Sequence, residues 1–304
     1  MPNQMPHPDA ARQNEPQPGK YDLAVACRVS SFPSLNQPPL FADDKLKLVE
    51  LCLKSFKASI GGLRVKLWVI LTGPPEYAQM FERVWPKEDL VVLSVGRIGN
   101  PRSLQKQLDV LTAQTDAEFV FVAEDDYFYL PGRFQSAVEF LRGQPDTTFV
   151  SVYDHPANYT VPYQKSMPPE KPQTSGGLSW HARAATTHSF LTRKANLQKC
   201  RSVFRATFWG SYKFWGSDTD TAHWLALTKT GIFNLPMFVI SVFKHRYWAA
   251  CVFLAWVFRW RQIVFGPRQV LWTPIPSIAT HMVAGEEAPG VDWPKEFDRC
   301  RQTR

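Results

Sequence analysis

Apolar residues in the first half of the chain fall into short blocks separated by amphipathic stretches. Leu23–Cys27 (LAVAC), Val65–Leu71 (VKLWVIL), Leu90–Val95 and Phe119–Ala123 (FVFVA) each read as a strand. Runs apolar on both faces are what a buried parallel sheet requires, because helices cover it on either side. Between these blocks the spacing changes from 2 to 3.6. Asp43 and Asp44 open a helix to about Ser59, with Leu46, Val49, Leu53 and Phe56 on one face. Gly73, Pro74 and Pro75 end the second strand, and a short helix covers Glu76–Val84. A further helix runs from Pro101, well suited to a first turn, to about Gln114. Strand and helix alternate through residues 22–145, which predicts βαβ units: an α/β fold with a mostly parallel sheet and helices on both faces.

The second half has a different pattern. Thr148–Val152 and Thr187–Leu191 read as strands, and a helix is expected over Arg193–Phe204. Residues 154–186 are polar and rich in proline, with a Gly176-Gly177 pair, and are expected to form a long binding loop or lid. Ser217 or Asp218 is placed to cap a helix that carries Trp224, Leu225 and Leu227. Residues 233–265 are the most apolar of all. The run Tyr247–Phe258 lies between Lys244, His245, Arg246 and the pair Arg259, Arg261, and is shorter than the ~20 apolar residues of a membrane span. Two readings fit it: an interfacial helix making peripheral membrane contact through 244–261, or a helix buried in the protein or at a subunit contact. The chain divides into a tail (1–20), a nucleotide-binding half (21–150), an acceptor-binding half of the same domain (151–285) and a C-terminal tail (286–304).

Composition narrows the class without naming the chemistry. A chain of 304 residues, 44% hydrophobic and 20% charged, is an ordinary globular protein able to bury a sizeable core. Its net charge of +8 favours polyanionic partners such as nucleotide diphosphates or anionic lipid. No run of Lys and Arg interleaved with aromatics points to nucleic acid, which is not an expected partner. Five cysteines without a CxxC pair, and an N-terminal stretch with no apolar core, lead to the expectation of a cytoplasmic protein with reduced thiols, with membrane association as the option that 244–261 adds.

The chemistry concentrates where the fourth strand ends. FVFVAEDDYFYLPGRF (119–134) runs from a buried strand straight into Glu124, Asp125 and Asp126. Three adjacent carboxylates there repel one another unless a cation or basic group joins them. The carboxyl ends of parallel strands are where α/β sheets bind ligands, and hard oxygen donors suit Mg2+ or Mn2+ completed by phosphates. Downstream, Asp218 and Asp220 stand at a predicted helix start, and His281 in a proline-punctuated loop. Arg28 at the end of the first strand and Arg102 at a helix start are candidate phosphate contacts; His188 and Trp215 are candidate acceptor contacts.

These motifs together resemble the GT-A glycosyltransferases. Strand, EDD and helix look like their metal-binding DXD segment, and VAEDDYFYLPGRF is most similar to the EDD-bearing N-acetylglucosaminyltransferases of the Golgi. GSDTDTA (216–222) resembles the segment that carries the base in inverting family 2 enzymes, and PSIATH (276–281) the late segment that supplies a metal-binding histidine. The resemblance implies a GT-A-like sheet, a divalent cation on Asp126 and His281, and Glu124 and Asp125 facing the donor. It implies Asp218 as base with Asp220 as the fallback, a nucleotide-diphosphate sugar as donor, and a carbohydrate or lipid-linked acceptor. Two positions depart from family 2: Leu71-Thr72-Gly73 where an acid often binds uracil, and Ser217 where an acid precedes the base. The rival readings are a sugar-phosphate nucleotidyltransferase, whose Gly-rich loop is missing from RVSSFPSLNQPP (28–39), and a membrane-surface or polyanion-binding protein without catalysis.

Overall fold

The computed structural model describes residues 20–32, 37–161, 170–205 and 220–302. The expected tail up to residue 19, and with it Trp215, Ser217 and Asp218, lies outside the described residues. The four apolar blocks form β1 (Leu23–Ser30), β2 (Val65–Thr72), β3 (Leu90–Ser94) and β4 (Phe119–Glu124), joined by α1 (Lys45–Ser59), α2 (Pro75–Val84) and α3 (Gly99–Ala113). The side chain of Asp44 accepts from the backbone N–H of Lys47 and caps α1 as the sequence predicts. After β4 come β5 (Tyr127–Tyr129), α4 (Phe134–Arg142), β6 (Thr148–Val150), α5 (Ala157–Thr160), β7 (Gln173–Ser175), β8 (Leu178–Arg183) and β9 (Phe190–Arg193). The chain closes with α6 (Lys194–Cys200), α7 (Asp220–Thr228), α8 (Leu235–Lys244), α9 (Arg246–Phe265), β10 (Val270–Ile275), β11 (Ala279–His281) and α10 (Trp293–Gln302).

One nine-stranded sheet runs through both halves in the order β3-β2-β1-β4-β9-β6-β10-β8-β7. β3, β2, β1 and β4 are parallel, β9 enters antiparallel to β4 and β6, and β10 returns parallel to β6. This is the α/β class expected from the sequence. Alternate residues of each central strand feed two cores. Leu23, Val25, Phe119 and Phe121 pack under α1, α2 and α4, while Ala24, Ala26, Val120 and Val122 pack under α3, α6, α7 and α9. Each such large side chain contributes about 1.5–3 kcal/mol by leaving water, so a register slip that exchanged the faces would be costly.

Two parts differ from expectation. The polar stretch 154–186 is not all loop: β7 and β8 form an edge hairpin, turned by Gly176 and Gly177 at φ +60° and +73°. Both values are ones that glycine adopts without strain, which makes the pair a hairpin turn. Leu178 and Trp180 point inward and alternate with Ser179 and His181. Residues 286–304, read as a tail, carry α10, whose Trp293 and Phe297 are buried beside Phe128.

Candidate active site

The acids at the end of β4 open into a cleft of about 460 Å3 at the carboxyl ends of the parallel strands. Its walls include Arg28 and Ser30 from the end of β1, Lys45 from α1, Thr72 from the end of β2, and Arg97 and Asn100 before and in α3. His188, Asp220 and His281 complete it. Burial would raise the pKa of every carboxyl here, and the three acids resolve it differently. Glu124 is ion-paired with Arg28, whose guanidinium also reaches the Asn100 carbonyl. Asp125 takes the Lys45 ammonium at 3.1 Å and the Ser30 backbone N–H at 2.9 Å. Desolvation still leaves both carboxyls above the usual carboxylate range, against the pull of Arg28 and Lys45 respectively. Asp126 goes the other way: burial pushes its pKa up, but the facing His281 outweighs it and holds the group ionised.

His281 reaches Asp126 through backbone pairing. β5 and β11 form a two-stranded antiparallel ladder with Tyr127 opposite His281, and the Met282 N–H donates to the Asp126 carbonyl at 2.7 Å. The imidazole stacks on Tyr127 with ring centroids 5.0 Å apart. Its Nε2 lies 3.3 Å from Asp126 Oδ2 and its Nδ1 3.0 Å from Glu286 Oε2. Burial alone would lower its pKa, yet the carboxylates of Asp126 and Glu286 push it up to about 10. The stabilisation from protonating His281 is therefore complete below its unfolded pKa near 6.5 and fades as pH rises towards 10. In chelator, the wild-type melting temperature should fall between pH 7 and 10 by roughly 5 °C more than that of His281→Gln, the worth of about 2 kcal/mol in a chain of this size. Parallel curves for the two proteins would contradict the pairing.

Asp126 Oδ1 is buried and has no hydrogen-bond partner among the described residues. A buried carboxylate oxygen left in that state is costly unless a cation meets it. No three His, Cys, Asp or Glu side chains among the described residues converge on one point. This donor set still fits Mg2+ or Mn2+, which bind through one or two protein ligands and take the rest from phosphates and water. Asp126 would hold the ion through Oδ1, and His281 would join it by giving up its Nε2 proton, while Glu124 and Asp125 are committed to Arg28, Lys45 and Ser30.

Asp220, the first residue of α7, faces the same cleft and lies 3.0 Å from His188 Nε2. The loop carrying His188 is pinned on both sides: Thr187 Oγ1 meets Tyr127 Oη at 2.9 Å, and the Thr187 carbonyl accepts from Trp224 Nε1 at 3.2 Å. Burial, reinforced by the neighbouring His223 and Arg28, keeps His188 neutral. A neutral His188 packed this close limits where the Asp220 carboxylate can point, although the contact is not aligned as a hydrogen bond.

Arg28, Glu124, Asp125, Asp126, His188, Asp220 and His281 line one cleft. Arg102 does not belong to it. That side chain is exposed on α3, and Arg97, with Asn100 and Ser103, takes the place on the wall. Helical spacing explains this, since 100 and 103 share a face that 102 does not. Sequence reasoning missed Lys45, Arg97 and Glu286. Lys45 did leave a signal: a lysine at the first position of a helix opposes the macrodipole, and a buried acid partner accounts for it.

No protein-family model matches the chain, and no curated protein does. Among solved structures it is similar to the galactosyltransferase LgtC in complex with donor and acceptor sugar analogues, with a TM-score of 0.45 at 10% identity over 92% of this chain and 95% of that one. An active-site mutant of LgtC gives the same TM-score of 0.45, identity of 10% and coverage of 92% and 95%. A CMP:2-keto-3-deoxy-manno-octonic acid synthetase complexed with CTP is similar with a TM-score of 0.39 at 9% identity, over 62% of this chain and 80% of that one.

Proposed function

We infer that this chain is a glycosyltransferase that moves a sugar from a nucleotide-diphosphate donor to an acceptor hydroxyl, with a divalent cation and with inversion at the anomeric carbon. The observation that carries this reading is the pairing, in one cleft at the strand ends, of a buried unpartnered Asp126 oxygen beside His281 with Asp220 held by His188. Transfer from a nucleotide-sugar needs two things: charge neutralised on the departing diphosphate, and a base for the acceptor. A divalent cation held by Asp126 would supply the first as a Lewis acid. Arg28 and Arg97, at the wall of the cleft, add positive charge where the phosphates would lie.

Asp220 takes the proton from the acceptor hydroxyl. The hydroxyl oxygen bonds to the anomeric carbon from the face opposite the diphosphate, and the bond between that carbon and the phosphate oxygen breaks with its electron pair leaving on the diphosphate. His188, 3.0 Å from the carboxylate, orients Asp220. The resemblance assigned the base to Asp218, outside the described residues; Asp220 takes that role here because it lines the cleft. The first test is proton NMR of the sugar released or transferred from a panel of UDP-, GDP-, CDP- and dTDP-sugars with manganese. A product of inverted configuration is expected, and a retained one would sink the base mechanism. Release of pyrophosphate from a nucleoside triphosphate and a sugar phosphate would instead favour a nucleotidyltransferase.

A further inference from the structure

The apolar segment 233–265 resolves into α8 and α9 packed against one another. α9 is long and apolar enough to cross a membrane by length and composition, yet one face of it is inside the protein. Trp248, Cys251, Val252, Ala255 and Ile263 are buried in the core beneath the sheet, against α7. Its opposite face carries Phe253, Trp256, Val257, Trp260 and Val264, a spacing of 3 and 4 that makes one exposed stripe. α8 continues that apolar surface with Leu235, Val239, Val242 and Phe243, the last 78% exposed. Apart from Phe32 and Tyr159, every strongly exposed large apolar residue among the described residues lies between Phe233 and Phe265. A contiguous exposed apolar surface of this extent marks an interaction site.

The charge pattern identifies the cover. From residue 221 through 285 the chain contains no Asp or Glu, while Lys229, Lys244, Arg246, Arg259, Arg261 and Arg268 fall within it. Lys244 and Arg246 at the junction of α8 and α9, and Arg261 beside Trp260, are exposed at the rim of the apolar face. Between the two helices runs an apolar groove of about 410 Å3, lined by Phe233, Leu235, Phe238, Val252, Phe253 and Trp256. Apolar and aromatic side chains, a cationic rim, no acid, and a groove fit for an acyl chain are the requirements of an anionic bilayer surface. A second copy of this chain would bring the same cations against each other and leave them unpaired.

We propose that α8 and α9 form a membrane-docking face that lies in the interface of an anionic bilayer, with Phe243, Phe253, Trp256 and Trp260 among the acyl chains and Lys244, Arg246 and Arg261 at the head groups. Behind this exposed face the buried side of α9 packs on α7, whose first residue is Asp220, and Tyr247 of α9 donates to Thr221 at 3.2 Å. Docking needs neither nucleotide nor metal, so it stands or falls independently of the transferase reading.

The test is flotation of the full chain with vesicles of phosphatidylcholine alone or mixed with phosphatidylglycerol. The expected result is flotation with the anionic vesicles, weakened by salt, and lost by at least about tenfold in a Phe243→Glu, Phe253→Glu, Trp260→Glu protein. Lys244→Glu with Arg246→Glu should lower binding about fivefold per cation on anionic vesicles and leave the neutral ones unaffected. Brominated lipid should quench the wild-type tryptophan fluorescence, and Trp256→Phe with Trp260→Phe should remove most of that quenching, a readout that survives if a glutamate variant fails to fold. The proposal is overturned by absence of wild-type flotation and quenching, or by an unaffected glutamate variant. It is overturned equally by a dimer that the glutamate substitutions dissociate without any vesicle binding, or by a protein that alkaline carbonate does not release.

Discussion

Asp220→Asn is expected to lower sugar transfer about a thousandfold while leaving donor binding close to wild type. The loss is the range that removal of a general base produces. The side chain keeps its shape, and the metal and phosphate contacts assigned to Asp126, His281 and Arg28 are elsewhere in the cleft. Binding of nucleotide with manganese, read by thermal shift, should therefore persist in the variant. His188→Ala should follow with a smaller loss, because His188 positions the carboxylate at 3.0 Å and accepts no proton from the acceptor. Asp218→Asn, made in parallel, separates the two acids of the segment: the account requires turnover to survive there and to collapse at Asp220. The reverse result would return the base to Asp218.

Asp126→Asn is the second large effect, and it should act at a different step. Its carboxylate is held ionised by His281 and presents one buried oxygen with no protein partner among the described residues. The amide removes the charge that would hold a divalent ion, so both metal-dependent nucleotide binding and turnover should vanish, turnover by at least ~1000-fold. Folding should be affected less than by substitution of Asp125, because Asp125 holds the half-buried Lys45 and the Ser30 N–H. Breaking that pair from one side leaves the Lys45 ammonium with only the neighbouring Asp126 to offset it, a loss of about 1–3 kcal/mol. A comparison of Asp125→Asn and Asp126→Asn by melting temperature and by manganese-dependent nucleotide binding separates the structural acid from the ligand.

Much of this was legible because parallel strands buried on both faces announce themselves as apolar runs. LAVAC, VKLWVIL and FVFVA each start where β1, β2 and β4 start and end within three residues of them. The acids at the end of β4 followed from the same logic. What stayed hidden depended on partners distant in sequence. β5 is three residues long and exists because β11 pairs with it, and that pairing delivers His281 to Asp126. The β7–β8 hairpin lies at the sheet edge, where one face is polar, so its alternation is masked by the prolines before it. Arg102 was chosen for its place at a helix start, but the direction of a helical side chain depends on which turn faces the cleft, and that selected Asn100 and Ser103. The apolar stretch 233–265 could not be assigned to core or interface from its sequence because it is both, with one face of α9 in the protein and the other outside.

The most direct test of the account is the melting temperature of the full chain against UDP, GDP, CDP, ADP and dTDP, each with and without manganese. A ligand that binds only the native state at a hundred times its Kd stabilises by about 2.7 kcal/mol, a shift of several degrees. The predicted result is a rise that needs manganese and one nucleotide together and that disappears in Asp126→Asn. A flat response to every nucleotide, or a rise that is indifferent to metal and survives Asp126→Asn, would contradict a metal-assisted donor site at Glu124–Asp126.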